Sequence, residues 1–182
     1  MSEEPLGLVD GRVFRIRPAG QDDLDRLLWG GEYLRANRQE FLDRQARGEV
    51  LVLLPTLDDE PIGHLALDLV QLRDEGGVYL YWFEIRHEFT GKGIGSAVIS
   101  RAEQIAAEED RSFSEIAVEK TNEAARRLYE RLGYSRVGER LDAWIADLPD
   151  GRHVEVVDDC WVLRKVLGPR APSGENRSAS GI

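Results

Sequence analysis

Apolar and polar positions alternate along much of this chain, and the alternation predicts a protein rich in β-strands. Residues 12–18, RVFRIRP, alternate apolar and basic side chains and predict a first strand. The apolar runs 49–55 and 61–69 flank the polar segment TLDDE, so they predict a hairpin. Residues 78–85, VYLYWFEI, are rich in aromatic and β-branched side chains, which indicates a strand buried on both faces.

Helical spacing of apolar residues occurs in three other segments. Residues 94–109 have the pattern of an amphipathic helix. Residues 122–133 have the same pattern, with Asn122 and Gly133 where helix caps are expected. Residues 20–48 predict two helices that are broken at the pair Gly30 and Gly31. Strands are predicted at 113–120, 134–148 and 154–167, the last two joined by the turn PDGR.

The order of these elements predicts one α/β (α+β) domain. A mixed sheet with helices packed on its faces, in three layers, accommodates a strand, two helices, several strands, and then helix, strand, helix and two strands. We assign residues 1–11 to an N-terminal extension and residues 12–167 to the domain. Residues 168–182 are rich in Gly, Ser and Pro and are expected to be a disordered tail.

Charge and composition narrow the classes of partner. The formal net charge of −10 and a pI near 4.9 argue against nucleic acid or an anionic membrane as partner. They suit a cationic partner such as an amine-bearing small molecule, or an acidic surface that only aids solubility. The single Cys160 and three scattered histidines predict neither a disulfide nor a metal site. The acidic N-terminus is unlike a signal peptide, so a cytoplasmic enzyme or binding module is expected.

Three glycines, Gly91, Gly93 and Gly95, lie between the aromatic strand and the next helix. The spacing fits neither phosphate-binding motif with a fixed glycine pattern. A P-loop requires Ser or Thr after Lys92, and a dinucleotide loop requires a third glycine where Ser96 or Val98 stands. Two interpretations stay open: an anion site made of backbone N–H groups, or a tight connection that binds nothing.

Residues 88–99, EFTGKGIGSAVI, followed by 118–134, VEKTNEAARRLYERLGY, resemble the GCN5-related N-acetyltransferase (GNAT) superfamily. The first segment is similar to its acetyl-CoA pyrophosphate loop. The second follows its pattern N-x-x-A-x-x-L-Y-x-x-x-G-aromatic, met by Asn122, Ala125, Leu128, Tyr129, Gly133 and Tyr134. The resemblance covers about residues 12–167. It implies a mostly antiparallel central sheet that splays apart at the acetyl-CoA site.

The resemblance also implies roles for individual residues. Tyr129 stands at the position of the general acid. The implied coenzyme contacts are Phe83, Ile85, Thr90, Gly91, Lys92, Gly93, Ile94, Gly95, Ser96 and Asn122. The chain departs from the family at Thr90, where relatives carry Arg or Gln; its hydroxyl and the charge of Lys92 are expected to compensate.

The general base and the acceptor site are less well defined by the resemblance. Tyr79 and Ala117 occupy the two positions where relatives carry a catalytic carboxylate. The nearby Glu84 is therefore assigned as the base, with Glu119 or a water relayed through the tyrosines as alternatives. The implied acceptor-binding residues are Trp29, Tyr33, Tyr79 and Tyr81.

The activity implied is acetyl-CoA-dependent N-acetylation of a primary amine by direct attack in a ternary complex. The acceptor is expected to be a small cationic amine or a protein amine, with no metal, and the protein to be a monomer or homodimer. Two alternatives remain: a coenzyme-A-binding sensor or partner protein without catalysis, and a transferase that uses another acyl-CoA.

Overall fold

The computed structural model describes residues 4–24, 40–41, 43–147 and 151–168. The strands are β1 (Gly7–Val9), β2 (Arg12–Pro18), β3 (Val50–Leu57), β4 (Glu60–Pro61), β5 (Gly63–Asp68), β6 (Gly77–Ile85), β7 (Phe113–Glu119), β8 (Ser135–Asp147) and β9 (His153–Val166). The two longer helices are α1 (Ile94–Glu108) and α2 (Glu123–Arg131). Short helical turns occur at Gln21–Leu24 and 43–46, and 3-10 turns at Arg73–Glu75 and His87–Phe89.

The described strands form one sheet in the order β1-β2-β3-β5-β6-β7-β9-β8, with β4 paired to β3. Strands β6 and β7 run parallel, and every other neighbouring pair of described strands is antiparallel. Helix α1 lies between β6 and β7 in the chain because a parallel pair needs a long crossover. The predicted fold class, a mixed and mostly antiparallel sheet flanked by helices, is confirmed.

The β6–β7 ladder stops halfway. The two strands pair from Gly77 and Phe113 to Leu80 and Ile116, although β6 continues to Ile85 and β7 to Glu119. On its other side β6 stays paired with β5 to its end. The sheet therefore splays between the carboxyl ends of β6 and β7.

A β-bulge at Trp82 accompanies the splay. The register with β5 shifts between His64 and Ala66, and Trp82 has the positive φ of 49°. The Trp82 ring lies between Phe41, with ring centroids 4.9 Å apart, and His64, with centroids 4.0 Å apart. His64 is fully buried, and burial lowers its pKa to about 3, so it stays neutral beneath the bulge.

The main core lies between the sheet and the helices α1 and α2. Helix α1 buries Ile94, Val98, Ile99 and Ala102 against the sheet, where Leu80 and Ile116 belong to the same cluster. Each large apolar side chain buried in this way stabilises the fold by about 2 kcal/mol. A smaller cluster on the opposite face includes Val52, Leu54 and Ala66, with Phe41 packed against it.

Most predicted elements are found within one or two residues of their predicted ends. The TLDDE turn is confirmed: Asp58 and Asp59, both with positive φ, join β3 to β4. Burial of the aromatic strand on both faces is right only for Gly77–Leu80; residues 81–85 are half-buried or exposed because they line the splay. The assigned N-terminal extension contains β1, which pairs with β2.

Two other predictions fall largely beyond what the structure describes. The break at Gly30 and Gly31 lies outside the described residues, and so does the tail apart from Gly168. Among residues 4–24, 40–41, 43–147 and 151–168, no helix has the length and apolar character needed to cross a membrane.

Candidate active site

A cavity of about 730 Å³ opens where β6 and β7 part. Four structural segments line it: the end of β6, the glycine loop with the start of α1, the end of β7, and α2. Among the lining residues are Tyr81, Phe83, Glu84, Ile85, Thr90, Gly91, Gly93, Gly95, Ser96, Ala117, Glu119, Asn122 and Tyr129. The splay thus brings the predicted loop, acid and base to one site.

The glycine loop presents bare backbone to this cavity. Gly91 and Gly93 have φ of 75° and 79°, a region that side-chain-bearing residues rarely adopt, and a Cβ on either would meet nothing within 4 Å. Gly93 is the N-cap of α1, and because glycine has no side chain it does not cap the first N–H groups of the helix. The first N–H groups of α1 have no carbonyl partner within the helix, so the loop can bind an anion.

The loop's two polar side chains have other partners. The Thr90 hydroxyl donates to the His87 carbonyl at 2.8 Å, which closes the preceding 3-10 turn. The Lys92 ammonium pairs with Asp10, in the β1–β2 turn. The backbone amides therefore remain as the principal anion-binding groups of the loop.

Gly95 allows the start of α1 to pack closely against its neighbours. A Cβ on Gly95 would lie 3.4 Å from both Leu128 Cδ2 and Phe83 Cζ. The glycine thus fixes the loop relative to α2 and to the splayed end of β6. Any anion on the loop is then held at a set distance from groups on those two elements.

Asn122 combines capping with a position on the cavity wall. Its Oδ1 accepts a hydrogen bond from the Ala125 N–H at 3.1 Å, which confirms the predicted N-cap of α2. The Asn122 side chain also lines the cavity. Its amide NH₂ is left to donate to a ligand.

Tyr129 is a buried residue of the cavity wall. Its side chain is 5% exposed and packs near Tyr134, with ring centroids 6.1 Å apart. Burial raises the pKa of Tyr129 above its usual value. The phenol therefore keeps its proton at neutral pH and can act as a hydrogen-bond donor or an acid.

Two carboxylates lie on opposite sides of the splay, Glu84 on β6 and Glu119 on β7. Desolvation raises the pKa of Glu84. Glu119 accepts a hydrogen bond from the Thr121 hydroxyl. Glu84 is thus the carboxylate better suited to take up a proton.

Comparison with known proteins identifies the family. A family model described as the acetyltransferase (GNAT) family matches residues 21–134. The chain belongs to the GNAT acetyltransferase family. The resemblance seen in the loop and in α2 is thereby confirmed.

Solved structures of GNAT proteins share this fold. The putative acetyltransferase yncA from Salmonella typhimurium, solved with acetyl-CoA, has a TM-score of 0.64 at 17% identity, covering 87% of this chain and 96% of that one. Arabidopsis thaliana NAA60 in complex with acetyl-CoA has a TM-score of 0.63 at 17% identity, covering 85% of this chain and 98% of that one. A spermidine N-acetyltransferase SpeG chimera from Vibrio cholerae and hSSAT has a TM-score of 0.66 at 16% identity, covering 85% of this chain and 95% of that one. No curated protein matches the sequence.

The acceptor side of this GNAT chain is described in part. Tyr81 lines the cavity, and burial raises its pKa to about 12. Tyr79 is buried behind Tyr81, with ring centroids 6.1 Å apart, and is not one of the described lining residues. Trp29 and Tyr33 lie outside the described residues.

Several residues near the site were missed from the sequence. Arg140 of β8 donates to the Tyr79 hydroxyl, and Arg44 pairs with Asp68 at 2.7 Å near Tyr81. A charged residue on the inward face of a strand is a usable signal for such partners. Arg140, however, lies 61 residues from Tyr79 in the chain, so nothing local indicates that they meet.

Proposed function

We propose that the protein transfers the acetyl group of acetyl-CoA to the primary amine of a cationic acceptor, by direct attack in a ternary complex. One observation carries the proposal: a single cavity joins an open glycine loop to a buried phenol at a splay in the sheet. A loop of free amides suits the pyrophosphate of acetyl-CoA, and the thiolate that leaves in aminolysis needs a proton donor.

The residues present fit the coenzyme. Amides of Gly91, Gly93, Gly95 and Ser96 would hold the pyrophosphate at the positive end of the α1 dipole. Beyond Leu80, the edge of β6 that faces β7 has no ladder partner among the described strands. Backbone groups of Phe83 and Ile85 are therefore assigned to the extended pantetheine arm, which would bind as an added strand. Asn122 would donate to the same arm.

Tyr129 and Glu84 divide the proton transfers. The acetyl-CoA thioester supplies the acyl group. As the new carbon–nitrogen bond forms and the carbon–sulfur bond breaks, Tyr129 gives its proton to the departing sulfur. Glu84 takes the proton that the attacking nitrogen loses, and solvent restores both groups. Because both groups line one cavity, each proton moves only between neighbouring groups.

A small cationic amine is the acceptor class that we favour. The formal net charge is −10, and Glu84 and Glu119 both line the cavity. Such a site attracts cations and raises their local concentration. One structural neighbour is a spermidine N-acetyltransferase chimera, and another is a ribosomal-protein-alanine N-acetyltransferase from Brucella melitensis. Polyamines are therefore the first acceptors to test, and protein amines the second.

The cytoplasmic location and the oligomeric state stay predictions.

Two measurements on the full chain test the proposal. Calorimetry with acetyl-CoA is expected to show saturable binding. Thiol release with a panel of polyamines, amino sugars and peptides is expected to show turnover with at least one amine. Binding without turnover across the panel would support the alternative of a coenzyme-A-binding sensor. Turnover only with a longer acyl-CoA would support the alternative of a transferase that uses another acyl donor. Absence of binding would remove the loop assignment.

A further inference from the structure

Arg140 and Tyr79 form a bridge across the face of the sheet opposite helix α1. Arg140 starts on β8, where it is paired with Cys160 of β9, which in turn is paired with Glu119 of β7. Its guanidinium crosses these strands to donate to the Tyr79 hydroxyl on β6, and its Cζ lies 4.5 Å from the centre of the Tyr79 ring. We call these two side chains the Arg140–Tyr79 bridge.

The bridge ends just below the cavity, beside the point where β6 and β7 begin to part. Tyr79 lies one residue before Leu80, the last residue of β6 that pairs with β7. The Tyr79 hydroxyl also forms a hydrogen bond with the backbone of Ala117, a residue that lines the cavity. The small side chain of Ala117 leaves this space open. Burial raises the pKa of Tyr129, and Tyr79 adds to that rise.

The surroundings of the bridge keep Tyr79 protonated. Burial raises its pKa strongly, whereas Arg140 and the Ala117 backbone only oppose that rise. Asp142 of β8 accepts from Arg140 Nη2 at 3.0 Å, and Cys160 of β9 is the other titratable group that faces the pair. Because donors already occupy the Tyr79 oxygen, its own hydrogen is the group left to bond elsewhere.

We propose that the Arg140–Tyr79 bridge stabilises negative charge on the sulfur of coenzyme A beside Tyr129, an inference that rests on the proposed function. Tyr79 donates a hydrogen bond toward the cavity and keeps its proton throughout. Arg140 acts through Tyr79 and is a positioning residue, which polarises the phenol and holds it in place. Hydrogen bonds arranged in such a chain strengthen one another.

The experiment measures the thiol pKa of coenzyme A bound to the full-length protein, from the ultraviolet absorbance of the thiolate as pH is raised. This readout needs no acceptor amine. The variants are Tyr79→Phe, Arg140→Met and Arg140→Lys. Arg164→Met is the matched control, since Arg164 lies on the same face but pairs with Glu115 at 2.7 Å.

Tyr79→Phe and Arg140→Met are expected to raise the pKa of the bound thiol by about one unit, since each removes stabilisation of the charged form. Arg140→Lys should recover part of the difference, and Arg164→Met should match the wild type. The double variant should equal either single one, because the two residues act as a unit. Where an amine substrate is available, kcat should fall about tenfold with KM unchanged.

A bound thiol with the same pKa in the wild type, Tyr79→Phe and Arg140→Met would overturn the bridge and leave the proposed function standing. No binding of coenzyme A to the wild type would overturn both. If Tyr79→Phe does not fold, the difference between Arg140→Met and Arg140→Lys decides the question, because only the lysine keeps the charge.

Discussion

The two halves of the β6–β7 pair show how one pair of strands serves both stability and chemistry. From Gly77 to Leu80 the strands are hydrogen-bonded and buried, with Val78 and Leu80 fully inside the core. From Tyr81 to Ile85 the same strand has left its partner and lines the cavity. Each ladder hydrogen bond given up costs about 1 kcal/mol. In the open half, the missing ladder becomes a place for a ligand.

A substitution in the glycine loop beside the open half is expected to have the largest effect. Gly93→Val is expected to abolish acetyl-CoA binding, because a β-branched residue cannot hold a φ of 79° without strain. Calorimetry measures the loss. Gly138→Val in β8 is the control, since Gly138 has open space around it and lies away from the cavity lining. Unchanged affinity in Gly93→Val would refute the loop assignment.

Tyr129→Phe tests the chemistry of the open half. We expect turnover to fall about a thousandfold while acetyl-CoA affinity stays within about twofold, because only the proton donor is lost. Steady-state kinetics and calorimetry measure the two quantities. Tyr134→Phe serves as control: it removes a neighbouring buried phenol that bonds to Ser114 at 2.7 Å. Equal loss of turnover in both variants would argue against an acid role for Tyr129.

Leu80→Ala tests the closed half. Leu80 is fully buried, so the substitution is expected to lower the free energy of unfolding by about 3 kcal/mol and to leave acetyl-CoA affinity unchanged. Ile85→Ala, on the half-buried end of the same strand, should cost about 1 kcal/mol. Urea denaturation measures both changes. Similar losses would mean that the two halves contribute alike to stability.

Glu84→Gln has the smallest expected effect, about a tenfold fall in kcat/KM at neutral pH. A base must be deprotonated to work, and desolvation raises the pKa of Glu84. The acidic limb of the wild-type profile should therefore lie above the ordinary range of a glutamate, with activity rising as pH increases. The variant should lose this limb. A limb that persists in Glu84→Gln would assign it to another group, with Glu119 the first to examine.

Local signals in the sequence account for most of the elements. Alternation placed β2, helical spacing placed α1, and Asn122 marked the start of α2. These features depend on neighbours a few residues apart, which is why a single sequence reveals them. The family and its fold were likewise accessible, because the loop and α2 carry fixed residue patterns at a fixed separation.

Other features depend on contacts between distant parts of the chain. Lys92 meets Asp10 across 82 residues, and Arg140 meets Tyr79 across 61. At the bulge, the Trp82 ring contacts Phe41 and His64, and no local pattern indicates either contact. The sequence therefore places Tyr129 and the glycines near the site, but it does not identify the partners that tune them.

The unfinished ladder between β6 and β7 also bears on how the protein avoids self-association. A row of unsatisfied N–H and C=O groups along an outer strand invites other chains to dock and is a common start of aggregation. Here that row lines the cavity between β6 and β7, in the interior of the sheet order, and not an outer edge strand. The molecule thereby keeps a strand available for docking while shielding it from other copies of itself.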